Sequence, residues 1–208
     1  SGDYYDIFDL GQGRIGFLLV DASGHGVPAA LITMVAKEQF KLYAPRINNP
    51  AALFQRVNTQ ITTILEEHEA QGFYFSAFYL ILDKDRNISF CNAGHTKPIL
   101  IRSKQQKLTV LTTTGFLVGI SKEMNHLYET KSTTVESGDK IIMYTDGIVE
   151  PTDKSGEQFG WDRLIRSVKK SFVMSGKEIL ETVISDLDNH TDMDALKDDT
   201  TCIVIEVK

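Results

Sequence analysis

Two stretches of helical periodicity interrupt a chain that otherwise reads as short extended runs, and their placement limits what it can fold into. In the first, Leu31, Met34, Val35, Glu38 and Leu42 recur at three- and four-residue spacings after Pro28, and the pattern stops near Ala44-Pro45. A second helix begins near Pro50 and presents Leu53, Val57, Ile61, Ile64 and Leu65 on one face. The other helical stretch lies near the C-terminus, as helices over Trp161 to Phe172 and Gly176 to Leu187. Around these lie strand candidates: Tyr4 to Leu10, Ile15 to Val20, Phe73 to Leu82, Ile88 to Cys91, Ile99 to Arg102, Leu108 to Thr112, Glu129 to Val135, Lys140 to Tyr144 and Thr201 to Val207. Strands and helices in blocks, rather than in strict alternation, argue for an α+β fold with antiparallel sheet and against a doubly wound parallel one. No repeat, low-complexity tract or internal linker divides the chain, so residues 1–208 are read as a single domain.

Composition narrows the function classes. The 208 residues carry 28 acidic and 22 basic side chains, a net charge of −6, with 42% apolar residues, which excludes disorder, a collagen-like rod and a coiled coil. An acidic chain with no basic run longer than pairs such as Lys169-Lys170 is a poor nucleic-acid binder. Cys91 and Cys202 are too few and too far apart for a disulfide framework or a zinc site, which suits a reducing compartment. No apolar run approaches the ~18 residues of a membrane span. The opening Ser1-Gly2-Asp3 has no signal peptide and reads as the edge of a domain within a longer, cytoplasmic chain.

The informative geometry lies in four aspartates at predicted strand ends. Gly11-Gln12-Gly13 centres a hairpin, and Asp3 and Asp21 lie nine residues on either side of Gln12. In a regular antiparallel register they face each other with Cβ atoms ~5 Å apart. Two carboxylates so placed repel unless a cation sits between them. Toward the C-terminus, the strand Lys140 to Tyr144 delivers Asp146-Gly147, and Asp198-Asp199 precede the strand Thr201 to Val207. If those strands are antiparallel neighbours, Asp146 and Asp198 reach one sheet edge. Oxygen-only ligands suit Mg²⁺, Mn²⁺ or Ca²⁺ rather than Zn²⁺ or Cu²⁺, and the five histidines show no metal-ligand spacing. Against this stands the commonest use of Asp beside Gly, which is simply to make a turn.

Five strings occur in order: Gly2-Asp3-Tyr4-Tyr5-Asp6, Asp21-Ala22-Ser23-Gly24-His25-Gly26-Val27-Pro28-Ala29-Ala30, Asn92-Ala93-Gly94-His95, Gly138-Asp139 leading to Tyr144-Thr145-Asp146-Gly147-Ile148-Val149-Glu150, and Asp198-Asp199-Thr200-Thr201. Together they resemble the SpoIIE/RsbU-type branch of the PPM metal-dependent serine/threonine protein phosphatases, from residue 2 to about residue 205. The resemblance implies an antiparallel β-sandwich flanked by helices on both sides, in four αββα layers, with two Mn²⁺ or Mg²⁺ ions in a cleft at one end. It implies that Asp21 bridges both ions, that Asp3 and the main-chain carbonyl of Ala22 ligate one, and that Asp146 and Asp198 ligate the other. It further implies hydrolysis of phosphoserine or phosphothreonine on a regulatory protein by a metal-activated water, the substrate being an anti-anti-sigma factor of the STAS type. Such domains act as cytoplasmic outputs of bacterial signalling, C-terminal to a sensor or receiver module, in some cases within a membrane-anchored protein or a homodimer. The helix and strand that precede Gly2 in that family are absent from this sequence.

The remaining candidates are plainer. Ser23 and His25 are two residues apart on one loop, poor geometry for a nucleophile and its base, and there is no Gly-x-Ser-x-Gly; Ser23 shapes the turn and His25 takes no catalytic role. Gly24 and Gly26 either admit a phosphate at the following helix N-terminus or only supply positive φ. Asn92 and His95 are read as loop structure, Asp6 as structural, and Asp199 as a partner behind the ligands or a helix cap. Glu38 and Lys41 form a solvated face, the aromatics from Phe73 to Tyr79 belong to the sheet or core, and Trp161 packs its helix onto the sheet. Beside the phosphatase stand two alternatives: a catalytically silent, partner-binding domain, and a nucleotide switch, which lacks a P-loop lysine. The helix 28–43 follows Asp21 directly, so its movement would gate the metal site.

Overall fold

In the computed structural model, residues 2–24, 26–69, 72–170, 172–191 and 199–208 are described. They form two compact units, Ser1–His95 with Thr112–Thr134, and Thr96–Leu111 with Val135–Lys208.

The first unit is built on a five-stranded antiparallel sheet in the order β1-β2-β3-β4-β7. Its strands are β1 (Asp3–Asp9), β2 (Ile15–Ala22), β3 (Phe75–Leu82), β4 (Asn87–Ala93) and β7 (Lys131–Thr134). Alternation places Leu18, Val20 and Ala22 of β2 and Phe75, Ala77, Tyr79 and Ile81 of β3 in one core with helices α1 (Gly26–Tyr43) and α2 (Pro50–Glu67). Helix α2 follows its expected face, burying Leu53, Val57, Ile61 and Leu65. It starts where Asn49 caps it, Oδ1 accepting the Ala52 N–H at 2.9 Å, with Pro50 in the first turn.

Helix α1 departs from expectation. Its buried face is Ala29, Ile32, Thr33, Ala36 and Phe40, whereas Leu31, Met34 and Leu42 are exposed at 63%, 55% and 44%. The helix carries two apolar stripes, and the one with small alanines and Phe40 wins. Alanine permits close approach, and Phe40 meets Phe54 of α2 edge-on at 5.7 Å. Glu38 and Lys41 are exposed, as expected.

The second unit holds a four-stranded antiparallel sheet in the order β6-β5-β8-β9. Its strands are β5 (Ile99–Arg102), β6 (Lys107–Val110), β8 (Lys140–Tyr144) and β9 (Cys202–Glu206). Helices α3 (Gly160–Lys169) and α4 (Gly176–His190) bury Leu164, Val168, Ile179, Val183 and Leu187 in a core with Ile99, Ile101 and Ile142. Ser175 and Glu178 form a reciprocal capping box at the start of α4. Trp161 does not pack α3 onto the sheet: it is 37% exposed, and Phe159 and Leu164 occupy the core instead. Two short 3₁₀ turns, Lys122–Leu127 and Asp146–Ile148, have no counterpart in the expected elements. The architecture is α+β with two antiparallel sheets. Among the described residues no helix is long and apolar enough to cross a membrane.

Candidate metal centre

The β1–β2 hairpin turns through Gly11, Gln12 and Gly13, all at positive φ (71°, 57° and 73°). Leu10 and Arg14 close it: the Leu10 N–H donates to the Arg14 carbonyl at 3.0 Å, and the Arg14 N–H to the Gly11 carbonyl at 3.1 Å. No bulge intervenes, so the register runs unbroken from Asp9↔Ile15 to Asp3↔Asp21. The two half-buried aspartates therefore face each other across adjacent strands. One step beyond, the Ala22 N–H donates to the Gly2 carbonyl at 3.1 Å. A Cβ on Gly2 would lie 2.9 Å from the Ala22 carbonyl oxygen, so glycine there leaves that oxygen uncovered by a side chain. Two carboxylates and a main-chain carbonyl thus stand together, an all-oxygen donor set that fits a hard divalent cation.

Asp6 sits on the other face of β1. Its Oδ2 accepts from the Tyr4 hydroxyl and its Oδ1 from the Ile7 N–H at 2.8 Å. Burial, and then that bond to Asp6, push the Tyr4 hydroxyl pKa above its ordinary value. Ser23 ties the segment after Asp21 to β3: its N–H donates to the Tyr74 carbonyl at 2.9 Å, and its Oγ accepts the Tyr74 N–H at 3.2 Å. His25 lies outside the described residues.

In the second unit, β8 and β9 are antiparallel neighbours with Tyr144 opposite Cys202. The pairing continues past the strands. The Thr145 N–H donates to the Thr201 carbonyl at 3.0 Å, the Thr201 N–H to Thr145 Oγ1 at 3.0 Å, and Thr200 Oγ1 to the Gly147 carbonyl at 3.2 Å. Asp146 opens the 3₁₀ turn, its carbonyl accepting the N–H groups of Val149 at 2.8 Å and Glu150 at 2.9 Å. A Cβ on Gly147 would lie 2.1 Å from the Asp199 carbonyl oxygen, so the turn presses directly on the segment carrying Asp199. Asp198 lies outside the described residues. Among the described residues, no three His, Cys, Asp or Glu side chains form a group able to hold an ion.

Asn92 belongs to strand β4 rather than to a loop, and only His95 lies beyond it; the two are tied by the His95 N–H to Asn92 Oδ1 at 2.7 Å and by Asn92 Nδ2 to the His95 carbonyl at 3.0 Å. The reading from sequence overlooked Ser76, which stands opposite Asp21 in β3 and contacts His95 Nδ1 through Oγ at 2.6 Å. The signal was available: Ser76 is the one hydroxyl-only side chain in the apolar and aromatic run from Phe73 to Leu82.

A family model described as Stage II sporulation protein E (SpoIIE) matches residues 11–208. The chain belongs to the SpoIIE family. Two curated relatives of this SpoIIE-family chain come from Bacillus subtilis (strain 168). Phosphoserine phosphatase RsbP is 24% identical over 100% of this chain and 49% of its own length. Phosphoserine phosphatase RsbU is 25% identical over 100% of this chain and 60% of its own. The chain thus spans about half the length of these relatives. Among solved structures, the SiaA-PP2C domain of Pseudomonas aeruginosa is similar with a TM-score of 0.84, at 21% identity over 100% of this chain and 81% of that one. That likeness shows the PP2C-type fold, in the α+β class expected from the order of strands and helices.

Proposed function

We propose that this SpoIIE-family chain is a metal-dependent phosphatase acting on phosphoserine or phosphothreonine of a regulatory protein. The observation that carries the reading is the Asp3–Asp21 pair, two carboxylates in register beside the Ala22 carbonyl. Relatives over the full length of this chain that bear the name phosphoserine phosphatase support it. Asp3, Asp21 and the Ala22 carbonyl would hold one Mn²⁺ or Mg²⁺, and Asp146 with Asp198 a second. When bound, such ions activate a water for in-line attack at phosphorus and offset the charge of the phosphoryl oxygens. The chain's part is to hold its carboxylates in place. The hairpin register does so for Asp3 and Asp21, and the Thr145–Thr201 and Gly147–Thr200 bonds do so for the Asp146 turn. No protein nucleophile enters this scheme, in keeping with Ser23 being engaged to Tyr74.

The substrate we propose is a phosphorylated anti-anti-sigma factor of the STAS type, with this chain as the cytoplasmic output domain of a longer signalling protein. The experiment is turnover of p-nitrophenyl phosphate and of a phosphorylated STAS-type protein in Mn²⁺. Asp21→Asn is expected to remove both activities with the fold intact. Wild-type turnover no higher than that of Asp21→Asn would reject catalysis and leave the partner-binding reading.

A further inference from the structure

The row of side chains that begins at Asp3 does not end on β2. Asp3 is opposite Asp21, and Asp21 is opposite Ser76, so the three occupy consecutive positions across β1, β2 and β3 on one sheet face. Neighbours in such a row have Cβ atoms ~5 Å apart, within reach of a hydroxyl and a carboxylate. Beyond Ser76 lies His95, whose Nδ1 is 2.6 Å from Ser76 Oγ.

His95 is held firmly for a loop residue. It is 6% exposed, and Asn92 bonds both its N–H and its carbonyl, at 2.7 and 3.0 Å. Asn92 is fixed in turn, its own N–H donating to Thr113 Oγ1 at 2.8 Å. The chain at Gly115 presses so closely that a Cβ there would lie 1.8 Å from the Asn92 carbonyl oxygen. A turn alone does not call for so many bonds, and what they hold in place is a ring nitrogen on a serine whose strand neighbour is a carboxylate.

We propose that Ser76 and His95 are positioning residues for Asp21: His95 orients the Ser76 hydroxyl, which donates to the Asp21 carboxylate and holds it in its ligating orientation. This rests on the reading of Asp21 as a metal ligand. A carboxylate only accepts, and a serine has one hydrogen to give. Directing that hydrogen at Asp21 leaves the Oγ lone pairs for His95, so the ring carries its proton on Nδ1 and donates. Hydrogen-bonding partners behind a metal ligand commonly govern ten- to hundredfold of the affinity, roughly.

The test is calorimetric titration of Mn²⁺ alone into the 208-residue chain, with thermal unfolding as the fold control. Ser76→Ala and His95→Ala are each expected to weaken Mn²⁺ binding by about tenfold. The double variant should be no weaker than either single one, because both act through one chain of bonds. His95→Asn, whose amide N–H can stand where Nδ1–H stood, should restore most of the loss, which a space-filling role would not predict. Wild-type affinity in Ser76→Ala or in His95→Ala, with Asp21→Asn binding no Mn²⁺, would overturn the positioning role and leave the ligand role standing. Losses that multiply in the double variant would overturn the shared chain of bonds. Undiminished binding in Asp21→Asn would overturn the ligand reading, and the positioning role with it.

Discussion

Removing one carboxylate of the Asp3–Asp21 pair should have opposite effects on stability with and without divalent cation. Two unit charges ~5 Å apart repel by about 0.8 kcal/mol in water and about 3 kcal/mol at an effective dielectric of 20. Both aspartates are half-buried and face each other in register, so the repulsion lies near the lower end, about 1 kcal/mol. Asp3→Asn keeps the shape and removes the charge. In chelator it should raise Tm by about 2–4 °C, the shift expected per kcal/mol for a chain of this size. The gain should shrink in 1 M salt, where the screening length falls to about 3 Å. In Mn²⁺ the order reverses. A ligand at a hundred times its Kd stabilises the wild type by about 2.7 kcal/mol, and a variant that has lost one ligand gains less. Differential scanning fluorimetry in EDTA and in Mn²⁺ reads both arms. A Tm of Asp3→Asn equal to or below wild type in EDTA at low salt would refute the repulsion. Equal Mn²⁺-induced shifts in the two proteins would refute the ligand role of Asp3.

Gly147→Ala should cost about 2–3 kcal/mol, because its Cβ would stand 2.1 Å from the Asp199 carbonyl oxygen and the Thr200 and Thr201 contacts to this turn would have to part. Thermal unfolding and phosphatase assays should show Tm and activity falling together; an unshifted Tm would mean that the turn yields freely. Burial pushes the Cys91 and Cys202 thiols up to about 12, so the fully buried Cys91 should not react with a thiol reagent at pH 8 in the native protein and the half-buried Cys202 should react slowly, while both react in guanidinium. Because the folded values are raised, the associated stability is intact below the unfolded pKa of about 8.5. It is lost as pH climbs from there toward about 12, and alkaline unfolding curves should show the decline.

What the sequence disclosed follows the range of the interactions involved. The facing of Asp3 and Asp21 was legible because a glycine-flanked loop and an unbulged ladder fix it within nineteen residues of chain. The face of α2 was legible because its apolar positions fall on a single stripe. Helix α1 offers two stripes, and the choice between them belongs to α2, through the contact of Phe40 with Phe54. The 3₁₀ turn at Asp146 is too short for any periodicity to register, and its Gly147 lies against Asp199, far along the chain.

Ser76 shows the same division within a single site. Its place in an apolar run sets it apart locally, but the partner that gives it a candidate role comes from the β2–β3 pairing, which sets it opposite Asp21 across an intervening pair of helices. The Asn92–His95 string was visible as a motif, yet only the fold shows which residue the ring touches. A motif string records the side chains that must be present, whereas the register records which of them can act together. In this chain the motif strings carry the candidate carboxylates, and the register carries the hydroxyl proposed to support Asp21. Polar residues inside apolar strands that pair with a candidate ligand are few, and each can be tested singly.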